Sequence, residues 1–339
     1  MQRLAEKFDP ARKTYEGLLF PETEMGKPTR QAYGETLAEL GKKDSRIVAL
    51  DADLSSSTKS SLFGKEHPSH FFNVGLQEAN LIGTAVGLAV SGFIPFASTF
   101  AVFLASKGFE QIRLGIGHSG ANVKLVGSHG GITVGEDGPT HHAVEDLALI
   151  MSIPNILVCV PADEVATRHL VPKLAYHDGP TYLRCGRPKF PLVYRRDYPH
   201  EFPIEDNCSK VLVEGTDVAI FATGRMVYEA LGAAKLLEDE GISAAVVDVY
   251  VLNPIDEDAI ARWAGECGAC VTAEEHLIHG GLTSKIATVL GRRAPVPLEP
   301  VALKGYTVSG SGDELLKLNG LTANDIAAAA KRAIARKKD

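Results

Sequence analysis

Residues 75–106, GLQEANLIGTAVGLAVSGFIPFASTFAVFLAS, decide the fold, and Glu78 is their only charged residue. An apolar segment of this length is long enough to cross a membrane. Pro95 and the glycines interrupt it, however, and SGFIP (91–95) has the composition of a turn. We therefore predict a helix of small residues over 79–91 and a buried strand over 93–98, and we expect no membrane span.

Similar apolar runs alternate with helical patterns along the whole chain, which is typical of parallel strands joined by crossover helices. The strands predicted in the first half are RIVALDADL (46–54), IPFAST (94–99), NVKLVGS (122–128), NILVCVPA (155–162) and TYLRCGR (181–187). A second series starts at DVAIFATG (217–224) and continues through MVYEALGAAKLLEDEG (226–241) and AAVVDVYVLN (244–253). Strands this apolar are covered on both faces. The sequence predicts an α/β protein of two doubly wound domains.

A segment rich in proline, charge and aromatic residues separates the two series. It is PKFPLVYRRDYPHEFPIEDNCSK (188–210), and it has no clear period. TANDIAAAAKRAIARKK (322–338) closes the chain with the pattern of a capped amphipathic helix. The expected boundaries are an N-terminal extension (1–26), a first domain (27–190), a linker (191–210) and a second domain (211–339).

The composition favours small-molecule chemistry. A formal net charge of −7 over 339 residues gives no general attraction for nucleic acid or anionic lipid. Five cysteines, an odd number, do not form a disulfide framework in so long a chain, and MQRLAEKFDPARK (1–13) lacks the apolar centre of a signal peptide. We expect a cytoplasmic protein that binds neither nucleic acid nor membrane.

Glu78 is the first candidate for chemistry. A carboxylate in apolar surroundings loses solvation, which raises its affinity for a proton. The alternative is a surface glutamate in the first turn of a helix, which the helix dipole favours. Phe100 and Phe103 follow at helical spacing and share a face, either as ordinary core or as the wall of a site for a flat heterocycle whose ring nitrogen Glu78 contacts.

A glycine-rich segment is the second candidate. VGSHGGITVGEDGPTHHAVED (126–146) follows a predicted strand, and the carboxyl ends of parallel strands are where such sheets bind ligands. His129, Asp137, His141 and His142 offer hydrogen-bonding and titratable groups there. The alternative is a turn with solvated side chains. No metal motif supports an ion site in this segment.

Four residues at the ends of predicted elements suit an anion: Arg30, Ser57, Arg187 and again His129. Arginine engages two phosphate oxygens at once. No spacing argument brings these four together, and the chain has neither a Walker loop nor G-x-G-x-x-G. Cys267 and Cys270 run into a predicted buried strand, so we expect no redox or zinc role for them.

Three stretches taken together resemble the C-terminal half of transketolase, a thiamine-diphosphate enzyme of sugar-phosphate metabolism. They are GLQEANLIGTAVGLAVSGFIPFASTFAVF (75–103), GEDGPTHHAVEDLALIMSIPNILVCVPAD (135–163) and DGPTYLRCGRP (178–188). The resemblance runs from TRQAY (29–33) to the end of the chain. It implies a pyrimidine-binding domain followed by a transketolase C-terminal domain.

The resemblance also implies roles for the candidates. Glu78 would hydrogen-bond the aminopyrimidine ring of thiamine diphosphate and favour the imino form, whose nitrogen removes the thiazolium proton. Phe103 would lie against that ring with Phe100 beside it, while Ser106 stands where transketolases often have tyrosine. Asp137 and His141 would contact the hydroxyls next to the ketose carbonyl.

The anion candidates match the positions at which transketolases hold the sugar phosphate. Arg30, Ser57, His129 and Arg187 are all present, which favours a phosphorylated sugar over a plain 2-oxo acid. Deoxyxylulose-phosphate synthases usually carry arginine where this chain has Gly130, and full-length transketolases often have aspartate there.

The Gly-Asp-Gly motif of the family's diphosphate-binding domain is absent. We therefore expect the C-terminal subunit of a split transketolase, in an α2β2 heterotetramer of the pentose phosphate type. An N-terminal partner subunit would hold the diphosphate and a Mg or Ca ion, and we assign no metal ligand in this chain. The alternatives are a β-type subunit of a 2-oxoacid dehydrogenase, a deoxyxylulose-phosphate synthase-like enzyme, or a non-catalytic paralogue that binds a partner.

Overall fold

A computed structural model describes residues 8–9 and 14–337 of the chain. Part of the predicted N-terminal extension, and the last two residues, therefore lie outside the described residues. The strands, in chain order, are β1 (Phe8–Asp9), β2 (Thr14–Tyr15), β3 (Ile47–Asp51), β4 (Phe71–Asn73), β5 (Ile94–Phe100), β6 (Lys124–Ser128), β7 (Leu157–Cys159), β8 (Thr181–Arg184), β9 (Lys210–Val213), β10 (Val218–Ala222), β11 (Ala244–Asp248), β12 (Val251–Asn253), β13 (Cys270–Leu277) and β14 (Leu298–Leu303).

The α-helices lie mostly between consecutive strands. They are α1 (Thr29–Gly41), α2 (Ser55–Thr58), α3 (Ser61–Glu66), α4 (Glu78–Val90), α5 (Ala101–Lys107), α6 (Phe109–Gln111), α7 (Asp146–Met151), α8 (Glu164–Tyr176), α9 (Met226–Asp239), α10 (Glu257–Cys267), α11 (Leu282–Arg293), α12 (Gly312–Leu318) and α13 (Ala323–Ala335). A 3-10 turn spans Pro68–His70, and a π-helix spans Ile112–His118 directly after α6.

The first sheet has the strand order β12-β7-β8-β6-β5-β3-β4. Strands β7, β8, β6, β5, β3 and β4 are parallel to one another, while β12 joins β7 in the antiparallel direction. All seven residues of β5 are buried, which agrees with its uncharged and largely apolar sequence. The five strands predicted in this half of the chain are confirmed, and β4 is an additional short edge strand.

The second sheet has the order β1-β2-β9-β11-β10-β13-β14. Strands β11, β10, β13 and β14 are parallel, with β14 at one edge, and on the other side β9 pairs antiparallel with β11 and β2 antiparallel with β9. The prediction of two α/β units is therefore confirmed. At the end of the chain, Thr322 caps α13 in a capping box with Asp325, as the sequence pattern indicates.

The uncharged segment folds as predicted with one difference. Helix α4, a turn at Ser91–Phe93 and strand β5 follow one another, and no helix in the described residues is long and apolar enough to cross a membrane. Phe100 belongs to β5 and has extended backbone angles, whereas Phe103 lies in α5. The two phenylalanines thus do not share one helix face, although their rings still stack across the strand–helix junction.

Each sheet contains strands from the other half of the chain. β12 follows β11 of the second sheet but pairs with β7 of the first, and β2 precedes the first sheet but pairs with β9 of the second. Both apolar clusters in the described residues also contain side chains from both sheets. Residues 191–209 form no regular strand or helix, yet Leu192, Tyr194 and Phe202 within them are fully buried.

Candidate active site

The candidate residues collect at the carboxyl edge of the first sheet. Phe100 ends β5, His129 directly follows β6, and Arg187 follows β8 by three residues. Ser57 lies in α2, which begins after β3. Because the carboxyl ends of parallel strands meet at one edge, residues far apart in sequence come together here.

Glu78 is buried at the first position of α4, with 5% of the residue exposed. Its Oε1 atom lies 3.8 Å from the Nζ atom of Lys107, and the same ammonium lies 4.5 Å from the centroid of the Phe103 ring. The surface alternative for Glu78 is therefore wrong, although the carboxylate does occupy the helix turn that favours negative charge. Sequence reasoning missed Lys107, whose position as the first charge after the apolar run was the available signal.

Four rings form an aromatic wall next to this carboxylate. The Phe100 and Phe103 centroids are 5.9 Å apart with nearly parallel planes, and the His129 ring stacks on Phe100 at 3.7 Å. His141 presents its ring to Phe103 edge-on at 5.5 Å. The arrangement offers a flat apolar surface beside a buried carboxyl group, the combination that suits a polar heterocycle.

His142 directly follows His141 in the sequence but lies in a different environment. His142 is buried inside the glycine-rich loop, with Nε2 3.0 Å from the carbonyl oxygen of Gly135. His141 faces the phenylalanine rings, and its Nδ1 lies 2.9 Å from the Thr140 hydroxyl. Asp137 lies on the exposed part of the same loop. The structure thus separates His141, at the site, from His142, within the loop.

The four anion candidates lie in contact. Arg30 donates from Nη1 to the carbonyl oxygen of Ser57 at 2.6 Å and from Nε to that of Arg187 at 3.1 Å. Its Nη1 also lies 3.4 Å from Nε2 of His129. Arg187 in turn donates to Val134 O and, at 3.0 Å, to a carboxylate oxygen of Glu136. Two guanidinium groups and an imidazole therefore converge.

Burial and the nearby positive charges lower the pKa values of His129 and Arg30. Burial, followed by the charges of Arg30 and Arg187, lowers the pKa of His129 to about 3. His129 is consequently neutral at physiological pH, with Nδ1 2.9 Å from the Ser128 hydroxyl. Burial and the Arg187 charge also lower the pKa of Arg30, while the Asp137 carboxylate opposes that shift.

Lys59 adds positive charge that sequence reasoning missed. It directly follows α2, two residues after Ser57, and has a left-handed backbone with φ +72°. Burial and the charges of Arg30 and Lys65 lower its pKa. The charge of Lys59 also contributes to the low pKa of His129. Its position directly after DLSSST, within reach of a predicted anion residue, was the signal that could have identified it.

The described residues contain no group of three or more His, Cys, Asp or Glu side chains able to hold a metal ion. All five cysteines are buried with free thiols, and Cys267 donates to the carbonyl oxygen of Gly215 at 3.3 Å. A cavity of about 900 Å³ lies apart from the candidate site, between the end of α11 and the start of β14. Its lining has no cluster of titratable groups comparable with that at the sheet edge.

Comparisons with known proteins agree with this geometry. The family models described as "Transketolase, pyrimidine binding domain" and "Transketolase, C-terminal domain" match residues 26–192 and 208–326. The chain therefore belongs to the transketolase family, and the predicted resemblance is confirmed.

Two relatives by sequence and one solved structure are similar to most of this chain. A "Putative transketolase C-terminal section" of Methanocaldococcus jannaschii is 42% identical over 89% of this chain and 94% of the relative. The 6-deoxy-6-sulfo-D-fructose transketolase subunit SqwH of Clostridium sp. (strain MSTE9) is 41% identical over 91% of this chain and 95% of the relative. A solved structure titled "Split gene transketolase, inactive beta4 tetramer" superposes with a TM-score of 0.85 at 47% identity, covering 92% of this chain and 100% of that one.

The extent of these matches identifies the part of transketolase to which the chain corresponds. Human transketolase is 36% identical over 89% of this chain but only 48% of its own length. The chain thus corresponds to the C-terminal section of full-length transketolases and to the C-terminal subunits of split ones. These relatives favour transketolase over the dehydrogenase and synthase alternatives.

Proposed function

We propose that the chain is the catalytic C-terminal subunit of a two-chain transketolase, a glycolaldehydetransferase that moves a two-carbon ketol unit between sugar phosphates. The main support for this proposal is the arrangement of side chains at the carboxyl edge of the first sheet. A buried carboxyl with an aromatic wall lies beside a cluster of cations, and the loop that bears Asp137 and His141 borders both, since the His141 ring contacts Phe103 and the Asp137 charge acts on Arg30.

The residues present fit the pyrimidine end of thiamine diphosphate, the cofactor that family membership implies. When bound, this cofactor supplies the electron sink for the two-carbon unit. Glu78 would hold a proton against a ring nitrogen, because its side chain is buried and the adjacent wall of Phe103 and Phe100 excludes water from that contact. Lys107, with its Nζ atom 3.8 Å from Glu78 Oε1 and 4.5 Å from the centroid of the Phe103 ring, would help to orient that carboxyl group.

The substrate contacts follow from the position of the loop. Asp137 would accept hydrogen bonds from donor hydroxyls, and His141 would hold and transfer a proton at those oxygens. At the far end of the sugar, Arg30, His129 and Arg187 would bind the anionic end group, with Ser57 beside them. Neutral His129 can accept at Nε2 from the Arg30 guanidinium, 3.4 Å away, and so orient it toward such a group without adding charge.

We infer an N-terminal partner subunit that supplies the diphosphate site and the Mg or Ca ion, giving an α2β2 heterotetramer. The names of the relatives, a C-terminal section and a subunit, support this inference. The outer side of α4, with Asn80, Gly83, Gly87 and Val90 exposed, is small and uncharged, as a helix that packs against another chain requires. The tetramer named for the split-gene relative supports self-association of this chain as well.

The donor has two candidates. Phosphorylated ketoses, as in the pentose phosphate pathway of the cytoplasm, suit a site with two guanidinium groups. A sulfonated ketose is the second candidate, because the 41% identical relative is named a 6-deoxy-6-sulfo-D-fructose transketolase subunit. Phosphate and sulfonate share a tetrahedral oxyanion, so the same cations suit both.

To test this proposal, the chain is reconstituted with a candidate N-terminal subunit and thiamine diphosphate. Ketol transfer from phosphorylated and from sulfonated ketoses is then measured. We expect transfer only when both chains are present. Glu78→Gln should lower kcat by about 100-fold or more, since it removes the titratable proton but keeps the shape. Glu238→Gln, at an exposed position on α9, is the control. Absence of transfer by the wild-type complex from any ketose would contradict the proposed function and favour the non-catalytic paralogue.

A further inference from the structure

The loop that carries the substrate candidates is held by the second domain. We propose that Glu275, near the end of β13, is a positioning residue that fixes the glycine-rich loop of residues 129–145 (the substrate loop) and thereby sets the binding of the ketose donor. The role in donor binding rests on the proposed function, whereas the contact itself does not.

The first observation is a double hydrogen bond between the domains. The Thr133 backbone N–H donates to Glu275 Oε2 and the Thr133 hydroxyl to Oε1, each at 3.1 Å. Glu275 is buried, so water does not compete for these contacts. A carboxylate that receives two bonds from one residue fixes both the position and the rotation of the backbone there.

The second observation is how closely the loop backbone approaches the carboxylate. Gly131 has φ +81°, and a Cβ atom at this position would lie 2.2 Å from the Glu275 carboxyl carbon. Only glycine permits this approach and this backbone conformation together. Gly131 therefore leaves room for the Glu275 side chain, and Gly130, where a Cβ atom would lie 2.6 Å from Arg184 Nε, leaves room for Arg184.

The far end of the loop is tied to the same strand. Arg184 donates from Nη2 to the carbonyl oxygens of Ala143, at 2.7 Å, and of Glu275, at 3.3 Å. Arg184 also forms a buried ion pair with Asp146 at 2.9 Å. The backbone N–H of Leu277 donates to Val144 O at 2.8 Å. Hydrogen bonds thus join both ends of the substrate loop to β13, and Asp137 and His141 lie between these two contacts.

The outer side of the loop has further contacts with the second domain. The Ser309 hydroxyl donates to the carbonyl oxygen of Glu136, and the Tyr306 hydroxyl donates to a carboxylate oxygen of Glu145 at 3.3 Å. The second domain carries none of the candidate site residues, yet it contacts the loop that bears three of them. Positioning this loop gives that domain a role in donor recognition.

Hydrogen–deuterium exchange of the chain by itself tests the contact without any assay of activity. We expect the amides of residues 130–142 to exchange at least about tenfold faster in Glu275→Ala, because the loop then opens locally more often. Thr133→Val, which removes only the hydroxyl bond, should give a smaller increase. Glu275→Gln, which can keep one bond, should lie between wild type and Glu275→Ala.

A matched control lies next to Glu275 in the same strand. Glu274 is equally buried, but it accepts from the backbone N–H groups of Leu282 and Thr283, at 2.7 and 2.8 Å, inside the second domain. Glu274→Gln should leave exchange of the substrate loop unchanged. Unchanged loop exchange in both Glu275→Ala and Thr133→Val would overturn the inference. If Glu275→Ala does not fold, Thr133→Val and Glu275→Gln decide it.

Kinetics of the reconstituted complex separate positioning from general destabilisation. Glu275→Ala should raise KM for the ketose donor about tenfold, while the concentration of thiamine diphosphate for half-maximal activity stays the same. Equal loss of donor and cofactor affinity would contradict the positioning role. If the wild-type complex transfers no ketol unit, the proposed function fails, but the exchange result still decides whether Glu275 holds the loop.

Discussion

At the scale of single residues, the site depends on cations held together by backbone carbonyl oxygens. Arg30 is bound to the carbonyls of Ser57 and Arg187, so its guanidinium keeps one orientation although a second arginine lies beside it. Repulsion between the two guanidinium groups raises the free energy of the protein when no anion is bound. Glu136, paired with Arg187 at 3.0 Å, offsets part of that repulsion, and a bound anion would offset more of it, which supports the proposal that these residues bind a ligand.

Arg187→Met tests the anion assignment. We expect KM for phosphorylated donors to rise about 10- to 100-fold, because one bidentate contact is lost, and KM for unphosphorylated donors to change less than threefold. Arg195→Met, an exposed arginine paired with Asp197, is the control and should change neither constant. Equal increases for both kinds of donor would mean that Arg187 does not contact the end group.

A buried carboxyl group away from the site predicts a pH effect. Asp248 is fully buried and accepts from the Tyr194 hydroxyl at 2.6 Å, and burial raises its pKa from 3.8 to about 7. Between about pH 4 and pH 7 the native state keeps a proton that the unfolded chain has lost, so this group's contribution to stability falls as pH rises, by at most about 1.4 kcal/mol per pH unit.

Asp248→Asn removes that dependence. The unfolding free energy of Asp248→Asn minus that of wild type should therefore increase from about pH 4.5 to pH 7, whatever its absolute value. Urea titrations at several pH values measure this difference. A constant difference for Asp248→Asn would be inconsistent with the raised pKa.

At the scale of elements, one side chain fixes the start of α8 and the segment that follows the first domain. Asp163 Oδ1 accepts from the backbone N–H of Ala166, the N-terminal cap contact. Its Oδ2 atom accepts from Val193 N and Tyr194 N at 2.8 and 2.9 Å. A cap of this kind joins the start of a helix to residues 193–194, which belong to a segment without regular structure.

Asp163→Ala should therefore cost far more than an ordinary cap. We expect a loss of about 3 to 5 kcal/mol of unfolding free energy at neutral pH, because three buried N–H groups lose their acceptor. Ser311→Ala, at the less buried cap of α12, should cost only about 1 kcal/mol. Chemical denaturation of the two variants gives both values, and similar losses would mean that the linker contacts contribute little.

At the scale of the whole molecule, the two domains are not independent. Strand β12 of the second half completes the first sheet, β2 of the N-terminal segment joins the second, and the buried Asp146–Arg184 pair lies against Glu275 between them. Opening one sheet would therefore leave unpaired strand edges and buried charges in the other.

This connection predicts a single unfolding transition. Trp263 is the only tryptophan and is buried in α10 of the second domain, so its fluorescence reports on that domain, whereas far-UV circular dichroism reports on the whole chain. Urea curves from the two probes should have the same midpoint. Two separated midpoints would show that the domains unfold independently despite the exchanged strands.

The sequence by itself determined the class of fold and most of the candidates. The alternation of apolar runs with helical patterns located the strands. It could do so because the spacing of buried residues along the chain differs between strands and helices. The interrupted uncharged segment indicated a helix and strand rather than a span, and three motifs identified the family. The helical pairing of Phe100 and Phe103 was wrong, since a strand ends at Phe100 and spacing of three residues does not distinguish the two cases.

Only the tertiary structure decided which distant residues meet. Arg30, Ser57, His129 and Arg187 come together because the start of α1, the short helix α2 and the ends of β6 and β8 meet at one edge of the sheet. No local pattern in the sequence shows the order of strands in a sheet. The same is true of β12 in the first sheet and of Glu275 beneath the substrate loop. Periodicity describes which face of an element is buried, whereas the partner that buries it is chosen by packing over the whole chain.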